Sequence, residues 1–163
     1  MQYSQKYTLV QFLEPQTNGT RFSMEEWPIH VTLADTFAID LSDSLIQELH
    51  AMLSQQKSHH ITASDDLRFG TEGNPLIVVG FEKSIELQTL HAALIDFLEK
   101  QGAAFNSPEF TQDGFIAHST IQNGSRIDKG DSLHIGSLSL IDMFVDGDWR
   151  SRKVLDTFNL SKG

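Results

Sequence analysis

The chain of 163 residues contains no cysteine. This absence excludes disulfides, zinc sites built on thiolates and cysteine nucleophiles, and it fits a reducing compartment, so we expect a cytoplasmic protein. Long apolar runs are also absent. The longest, residues 75–79, is far too short to cross a bilayer, and residues 1–6 lack the long apolar core of a signal peptide. We therefore expect no association with a membrane.

Basic residues are scarce. The sequence has 12 lysines and arginines against 22 aspartates and glutamates, which gives a formal net charge of −10. Proteins that bind long nucleic acids usually neutralise many phosphates with clustered lysine and arginine, and this chain has no basic run. If the ligand carries phosphate, we expect a nucleotide or short oligonucleotide rather than an extended nucleic acid.

Apolar periodicity predicts two helices, from Ser42 or Ser44 to about residue 56 and from Ser84 to about residue 101. Seven strands are predicted between and around them, over residues 7–13, 29–33, 60–69, 76–81, 115–122, 133–144 and 154–160. Turns are predicted at 70–74 and 146–148. No linker divides the chain, and the order of helices and strands repeats coarsely. We expect a single α+β domain over residues 1–163, built from two similar lobes that each pack a helix on a small antiparallel sheet around a central cleft.

Two short strings carry most of the functional information, His30-Val31-Thr32-Leu33 and His118-Ser119-Thr120-Ile121. Each lies in a predicted strand, where residues two apart point to the same face. Each string therefore presents an imidazole beside a hydroxyl. Together the two pairs supply an acid, a base and two hydrogen-bond donors, which is the equipment for phosphodiester chemistry without a metal.

Histidine suits this chemistry because its unperturbed pKa, about 6.5, lets it give or take a proton near neutrality. Opening a cyclic phosphodiester requires one group that takes a proton from water and another that gives one to the departing oxygen. Two histidines flanking one phosphorus fill both roles, and each typically contributes about 10²- to 10⁴-fold. The threonine hydroxyls are suited to hydrogen-bonding the non-bridging phosphate oxygens.

A third string, His60-Ile61-Thr62-Ala63, also fits the pattern, so the tetrapeptide alone is weakly specific. It follows another histidine, begins a predicted strand and has alanine in place of a large apolar residue, and we expect it to lie outside the site. His59 and His60 near Asp65 and Asp66 suggest a metal site, but adjacent strand residues point to opposite faces. We expect a solvated polar patch there and no bound metal.

Four further residues are weaker candidates for substrate binding. Arg150 and Arg152 alternate around Ser151 beside Trp149, which fits either a phosphate clamp with a stacking ring or a hairpin of solvated charges. Tyr7 and Phe115 could stack on a nucleobase or belong to the core. The sequence leaves both alternatives open.

With its flanking elements included, nearly the whole chain resembles the two-histidine (2H) phosphoesterase superfamily. The branch in question is that of bacterial and phage proteins labelled 2′-5′ RNA ligase or cyclic phosphodiesterase. The resemblance rests on residues 28–33, residues 116–121 and the order of helices and strands around them. It implies two pseudo-symmetric lobes, a catalytic quartet of His30, Thr32, His118 and Thr120, and no cofactor. Ser119, and the four residues that separate Ile121 from Arg126, depart from the usual family pattern.

The resulting prediction is a metal-independent phosphodiesterase involved in RNA processing. Its substrate would be a 2′-5′ or 2′,3′-cyclic phosphodiester of a nucleotide or short oligonucleotide, and we expect it to act as a monomer. The resemblance implies that His118 is the base toward water and His30 the acid. Two alternatives remain: a non-catalytic module that binds a phosphorylated nucleotide in the same cleft, and an unrelated α+β interaction protein.

Overall fold

The computed structural model describes residues 4–69, 76–122 and 124–162. Two helices are present, α1 (Asp43–Ser54) and α2 (Ile85–Lys100), with short 3-10 turns at Pro108–Phe110 and Gln112–Gly114. The strands are β1 (Tyr7–Phe12), β2 (Arg21–Ser23), β3 (His30–Ala38), β4 (His59–Phe69), β5 (Leu76–Phe81), β6 (Ala104–Phe105), β7 (His118–Thr120), β8 (Ser132–Ile135), β9 (Ser137–Asp142) and β10 (Ser151–Asn159). Among the described residues, no helix has the length and apolar character needed to cross a membrane.

The strands form two antiparallel sheets, which confirms the predicted α+β fold of two lobes. One sheet has six strands in the order β2-β10-β9-β1-β3-β6, and the other has four in the order β7-β5-β4-β8. Helix α1 packs on β10, whereas α2 contacts both β3 and β4. The two His-x-Thr strings therefore lie in different sheets, one on β3 and the other on β7.

Alternation along the strands gives the six-stranded sheet two different faces. Leu9, Val31 and Leu33 are fully buried in the main core, which also contains the apolar residues of both helices. Val10 and Phe12 lie in a separate small cluster on the other face. Because Val10 pairs with Thr32 and Phe12 pairs with His30, this second face carries the His-x-Thr pair of β3.

Both helices begin at the serine that the sequence predicts. The Ser42 hydroxyl accepts a hydrogen bond from the Leu45 N–H, and the Ser84 hydroxyl accepts one from the Leu87 N–H, each at 3.1 Å. A serine cap of this kind is typically worth about 1 kcal/mol of helix stability. Gly102 follows α2 with a φ of +93°, in the left-handed region that glycine adopts at helix ends.

The strand predicted over residues 133–144 is wrong as a single element, because Gly136 divides it into β8 and β9, which belong to different sheets. A Cβ at Gly136 would lie 2.6 Å from Cε1 of His134, so a larger residue here requires the exposed His134 ring to move. The buried Gln11 side chain holds the crossing, since its Oε1 accepts hydrogen bonds from the N–H groups of Gly136 and Ser137, both at 2.9 Å.

The strand predicted over residues 115–122 is also shorter than expected, and only His118–Thr120 pair with a neighbour. The residues before it follow two 3-10 turns, and Gln122 bridges to Ser125 in a turn of its own. Conversely, the strand that carries His30 continues to Ala38, and two short strands, β2 and β6, were not predicted. The turn predicted at 70–74 lies outside the described residues.

Candidate active site

His30 stands at the start of β3, directly opposite Phe12 of β1. Its Nδ1 lies 2.8 Å from the carbonyl oxygen of Pro28, two residues earlier in the chain. Its ring lies against the indole of Trp27, with 4.6 Å between the ring centroids. The imidazole is therefore fixed by one hydrogen bond and covered by an aromatic ring.

His118 has the same surroundings in the other sheet. It begins β7 opposite Gly80 of β5, and its Nδ1 lies 2.9 Å from the carbonyl oxygen of Ile116, again two residues earlier. The phenyl ring of Phe69, the last residue of β4, stacks on it with 4.4 Å between centroids and 30° between planes. Each motif histidine thus has a backbone carbonyl oxygen at its Nδ1 and an aromatic ring against its imidazole.

These hydrogen bonds determine which ring nitrogen can react. A carbonyl oxygen only accepts, so Nδ1 carries a hydrogen in both histidines and donates it to the backbone. Nε2 is then the nitrogen that gains or loses a proton. As a result, each histidine can serve as a base through a bare Nε2 or as an acid through Nε2–H.

The two motifs approach each other across the lobes. Strand β3 contacts β7, and Thr32 of the first motif lines the same cavity as His118 of the second. This cavity has a volume of about 190 Å³. His118 is also close enough to act electrostatically on His30. A residue from each motif is therefore available to a ligand at this one place.

The threonines of the motifs, Thr32 and Thr120, are both partly exposed. Thr120 lies two residues after His118 on β7, as Thr32 does after His30 on β3. Within the described segments, neither hydroxyl has a hydrogen-bond partner in the protein. Both hydroxyls can therefore donate to the oxygens of a bound anion.

Burial lowers the pKa of His30 below its ordinary value, and the nearby charge of His118 lowers it further. The hydrogen bond to the Pro28 carbonyl opposes these effects, because the protonated ring is the better donor. The balance favours the neutral imidazole, which has an unprotonated Nε2 near neutral pH.

The weaker sequence candidates occupy four different surroundings. Tyr7 is 7% exposed in the main core, 6.2 Å from the ring of Phe37, and it lines none of the described cavities. Burial, followed by the charge of Asp142, raises the pKa of its phenol. Phe115 does line the cavity beside His118, with one ring face stacked on His91 at 3.8 Å. Its position supports a binding role, whereas that of Tyr7 favours a role in the core.

The two arginines differ from each other. Arg150 is exposed and lies 5.0 Å from the Trp149 ring. Arg152 is buried, and its Nη1 donates to the carbonyl oxygens of Met143, Trp149 and Ser151. Its guanidinium lies 5.9 Å from the centroid of Trp27. Arg152 therefore holds the turn between β9 and β10 and supports the indole that covers His30.

Sequence reasoning missed the aromatic residues that surround the two imidazoles. Trp27 lies three residues before His30, so its position near the motif was visible in the sequence. Phe69 and Phe110 gave no signal, because Phe69 reaches the cavity from the end of β4 and Phe110 from a 3-10 turn that lies outside the predicted strands. Asp35 also lines this cavity, from the part of β3 beyond the predicted strand.

His91 is buried and supports the site from α2. Its Nδ1 donates to the carbonyl oxygen of Leu33 at 2.7 Å, and its Nε2 accepts from the N–H of Gln112 at 3.0 Å. Burial lowers the pKa of His91, which keeps the ring neutral and able to accept. Gln112 has a φ of +55°, so this contact helps to hold an unfavourable backbone conformation between Phe110 and Phe115.

The third His-x-Thr string lies elsewhere. His60 and Thr62 line a different cavity from Thr32 and His118, and the exposed His60 ring lies 4.7 Å from that of His134. Asp65 and Asp66 pair with Lys129 and Arg126 rather than with the neighbouring histidines. Over residues 4–69, 76–122 and 124–162, no group of three or more histidine or acidic side chains could hold a metal ion.

Comparison with known proteins agrees with this arrangement. E. coli LigT complexed with NADP+ has a TM-score of 0.60 and 15% identity, with 96% of this chain and 98% of that chain covered. The protein TT0787 of Thermus thermophilus has a TM-score of 0.58 and 13% identity, with 97% and 98% covered. A structure described as a phosphoesterase has a TM-score of 0.60 and 16% identity, with 96% and 98% covered. These likenesses show a shared fold. No curated protein matches the chain.

The family comparison covers both the β3 motif and the β7 motif. The family model of the 2′-5′ RNA ligase superfamily matches residues 8–134, which is most of the chain. That superfamily comprises the 2H phosphoesterases. The chain belongs to the 2′-5′ RNA ligase superfamily.

Proposed function

We propose that this protein is a metal-independent phosphodiesterase that opens a 2′,3′-cyclic or 2′-5′ phosphodiester of a nucleotide or short oligonucleotide. The observation that carries the proposal is the matching environment of His30 and His118. Each has Nδ1 committed to a backbone carbonyl, an aromatic ring against its face and Nε2 left for proton transfer. The cavity shared by Thr32 and His118 gives a phosphate access to both motifs.

In the proposed reaction, water attacks phosphorus and loses a proton to one imidazole Nε2. The bond from phosphorus to one ribose oxygen breaks, and the other imidazole protonates that oxygen through Nε2–H. A cyclic phosphate gives a monoester, and a 2′-5′ linkage gives two shorter fragments. Thr32 and Thr120 donate hydrogen bonds to the non-bridging oxygens, which carry increasing negative charge in the transition state.

The electrostatics favour His30 as the base in hydrolysis. Its lowered pKa provides the bare Nε2 that water needs. His118 would then protonate the departing oxygen. This assignment is the reverse of the one implied by family resemblance.

Two cavities near the motifs support a nucleotide substrate. One is lined in part by His118, and another of about 350 Å³ is lined in part by Gln122 and by Trp27 and Pro28, which precede His30 in the chain. Aromatic rings at both places are suited to stacking on bases. Structures of E. coli LigT include complexes with 3′-AMP, ATP and NADP+, and the shared fold makes small nucleotides reasonable first ligands here.

The proposal is tested by incubating the purified protein in excess EDTA with 2′,3′-cyclic mononucleotides and with 2′-5′-linked dinucleotides. We expect turnover of at least one class, because none of the proposed steps requires a metal ion. Activity that disappears on chelation and returns with a divalent ion would assign the chemistry to a metal instead. Tight binding of these compounds without turnover would identify a binding module.

A further inference from the structure

The cavity beside His118 has a chemical character suited to one kind of group. Its lining residues include the aromatic residues Phe69, Phe110 and Phe115 and the acidic residue Asp35. No lysine or arginine is among its described lining residues. Away from Thr32 and His118, a phosphate would meet the negative charge of Asp35 and no lysine or arginine, whereas a neutral aromatic group that carries hydrogen-bond donors would be complementary.

The size of the cavity also favours a single aromatic base. Its volume of about 190 Å³ lies below the ~300 Å³ at which pockets for drug-sized ligands begin. One base fits this volume better than a whole dinucleotide does. Two large apolar side chains at the cavity, those of Phe110 and Ile116, are 44% and 49% exposed. Such exposure beside a polar cleft is typical of a ligand-binding surface.

Asp35 determines which base is complementary. Its Oδ1 accepts from the N–H and the hydroxyl of Thr36, which orients the carboxylate, and within the described residues no cation pairs with it. An ionised carboxylate has two oxygens and only accepts hydrogen bonds. It therefore binds best to a base edge that offers two adjacent donors.

Among the four bases, guanine alone offers this edge, with N1–H beside the 2-amino group. Adenine and cytosine place a ring acceptor beside their amino group, and the N3–H of uracil lies between two carbonyl oxygens. In each of these three, an acceptor would face the carboxylate and repel it. Guanine can make two parallel hydrogen bonds to the same group.

We propose that this cavity binds the guanine base of the substrate, with the Asp35 carboxylate accepting from N1–H and the 2-amino group. The inference rests on the proposed function, since it places the base beside the phosphate that His30 and His118 would act on. It makes the enzyme selective for guanosine on one side of the scissile phosphate. Asp35 is then a specificity-determining residue rather than a part of the proton-transfer machinery.

The experiment compares kcat/KM for the 2′,3′-cyclic phosphates of guanosine, inosine, adenosine, cytidine and uridine. We expect guanosine to exceed adenosine, cytidine and uridine by at least about tenfold, because a good bidentate pair discriminates by about this much or more. Inosine, which keeps N1–H and lacks the 2-amino group, should fall between them. Equal values for all five would overturn the inference.

Asp35→Asn is the decisive variant, because it keeps the size of the side chain and an acceptor for Thr36. It should lose the guanosine preference, measured as the ratio of kcat/KM for guanosine to that for adenosine, because the amide offers one donor and one acceptor where the carboxylate offers two acceptors. Asp40→Asn is the matched control, since Asp40 is exposed and lines none of the described cavities. It should keep the preference. A preference that survives in Asp35→Asn rejects the role of Asp35.

The two proposals fail in different ways. Turnover without base preference rejects the guanine pocket and leaves the phosphodiesterase intact. The opposite case is a guanine pocket without turnover. It is measured by equilibrium binding of 3′-GMP and 3′-AMP to the wild-type protein and to Asp35→Asn. Guanine-selective binding that depends on Asp35, with no turnover of any substrate, rejects the enzyme and retains the pocket as a binding site.

Discussion

The indole of Trp27 lies against the imidazole of His30, with 4.6 Å between ring centroids and 37° between ring planes. The indole excludes water from one face of a histidine whose pKa is lowered chiefly by burial. The guanidinium of Arg152 supports Trp27 from 5.9 Å. Trp27, which belongs to neither His-x-Thr motif, thus affects the protonation of the proposed base.

Replacing Trp27 with alanine should raise the pKa of His30, because water would solvate the imidazolium. If His30 is the base, its loss of a proton controls the acidic limb of the rate profile. The acidic limb of kcat/KM should then move to higher pH in Trp27→Ala, and NMR titration of His30 should move with it. Phe69→Ala, which uncovers His118 instead, serves as the control. An acidic limb and a His30 titration that both stay in place would contradict the control of this pKa by Trp27.

Alanine at His30 or His118 should each lower kcat by about 10²- to 10⁴-fold, the usual contribution of a general acid or base. The double variant should be little slower than the worse single one, because the histidines act on one phosphate as a unit. His60→Ala is the matched control, since it carries the same local motif in a different cavity. Loss of activity in His60→Ala with retention in His30→Ala would show that the site had been assigned to the wrong pair.

Valine at Thr32 or Thr120 keeps the shape of the side chain and removes the hydroxyl. We expect each substitution to lower kcat/KM by about 10²-fold, as for removal of one donor to a charge that develops in the transition state. The free energy of unfolding should change little, since neither hydroxyl bonds to the described part of the protein. Steady-state kinetics together with urea unfolding test both halves of this prediction. A large loss of stability would indicate a structural hydroxyl instead.

His91→Ala should destabilise the fold by about 2–4 kcal/mol at pH 7.5, through the cavity it leaves and two buried groups that lose their partners. Burial lowers the pKa of His91 in the folded protein. The contribution of His91 to the free energy of unfolding is therefore complete above its unfolded pKa of about 6.5, and it is lost as the pH falls through its folded pKa. The difference between the two proteins should therefore shrink at pH 5.5. Urea unfolding at both pH values measures it, and a constant difference would contradict the neutral ring.

Much of the fold was predictable because its signals are local. Ser42 and Ser84 cap the helices as the sequence indicates, and the apolar rows at Leu45–Leu49–Leu53 and Leu87–Leu90–Leu94 are buried. The break at Gly136 had a local signal that the prediction overlooked, because the buried apolar residues change from odd positions (133 and 135) to even ones (138 and 140) at the glycine. What the sequence could not show is the contact that holds the crossing, since Gln11 lies far from this run in the chain.

The proposed site, too, was predictable only where its signals are local. The spacing within each His-x-Thr string places imidazole and hydroxyl together, which local alternation is sufficient to predict. The covering rings and Asp35 were missed, because the elements that deliver them belong to tertiary structure. For Arg152, a local signal was present and was misleading. Its spacing from Arg150 suggested a shared exposed face, yet the turn after β9 buries one of the two and leaves the other in solvent.

The two motif histidines lie on strands that differ in length and in backbone hydrogen bonding. His30 begins a nine-residue strand that pairs with β1 and, at Phe37 and Ala38, with β6. His118 begins a three-residue strand at the edge of its sheet that pairs, among the described residues, with β5 alone. Local opening costs least where few backbone hydrogen bonds must break. The amides of β7 should therefore exchange with deuterium sooner than those of β3. In the proposed enzyme, strand β7 with His118 is the part that opens when a ligand enters or leaves, while strand β3 with His30 stays rigid.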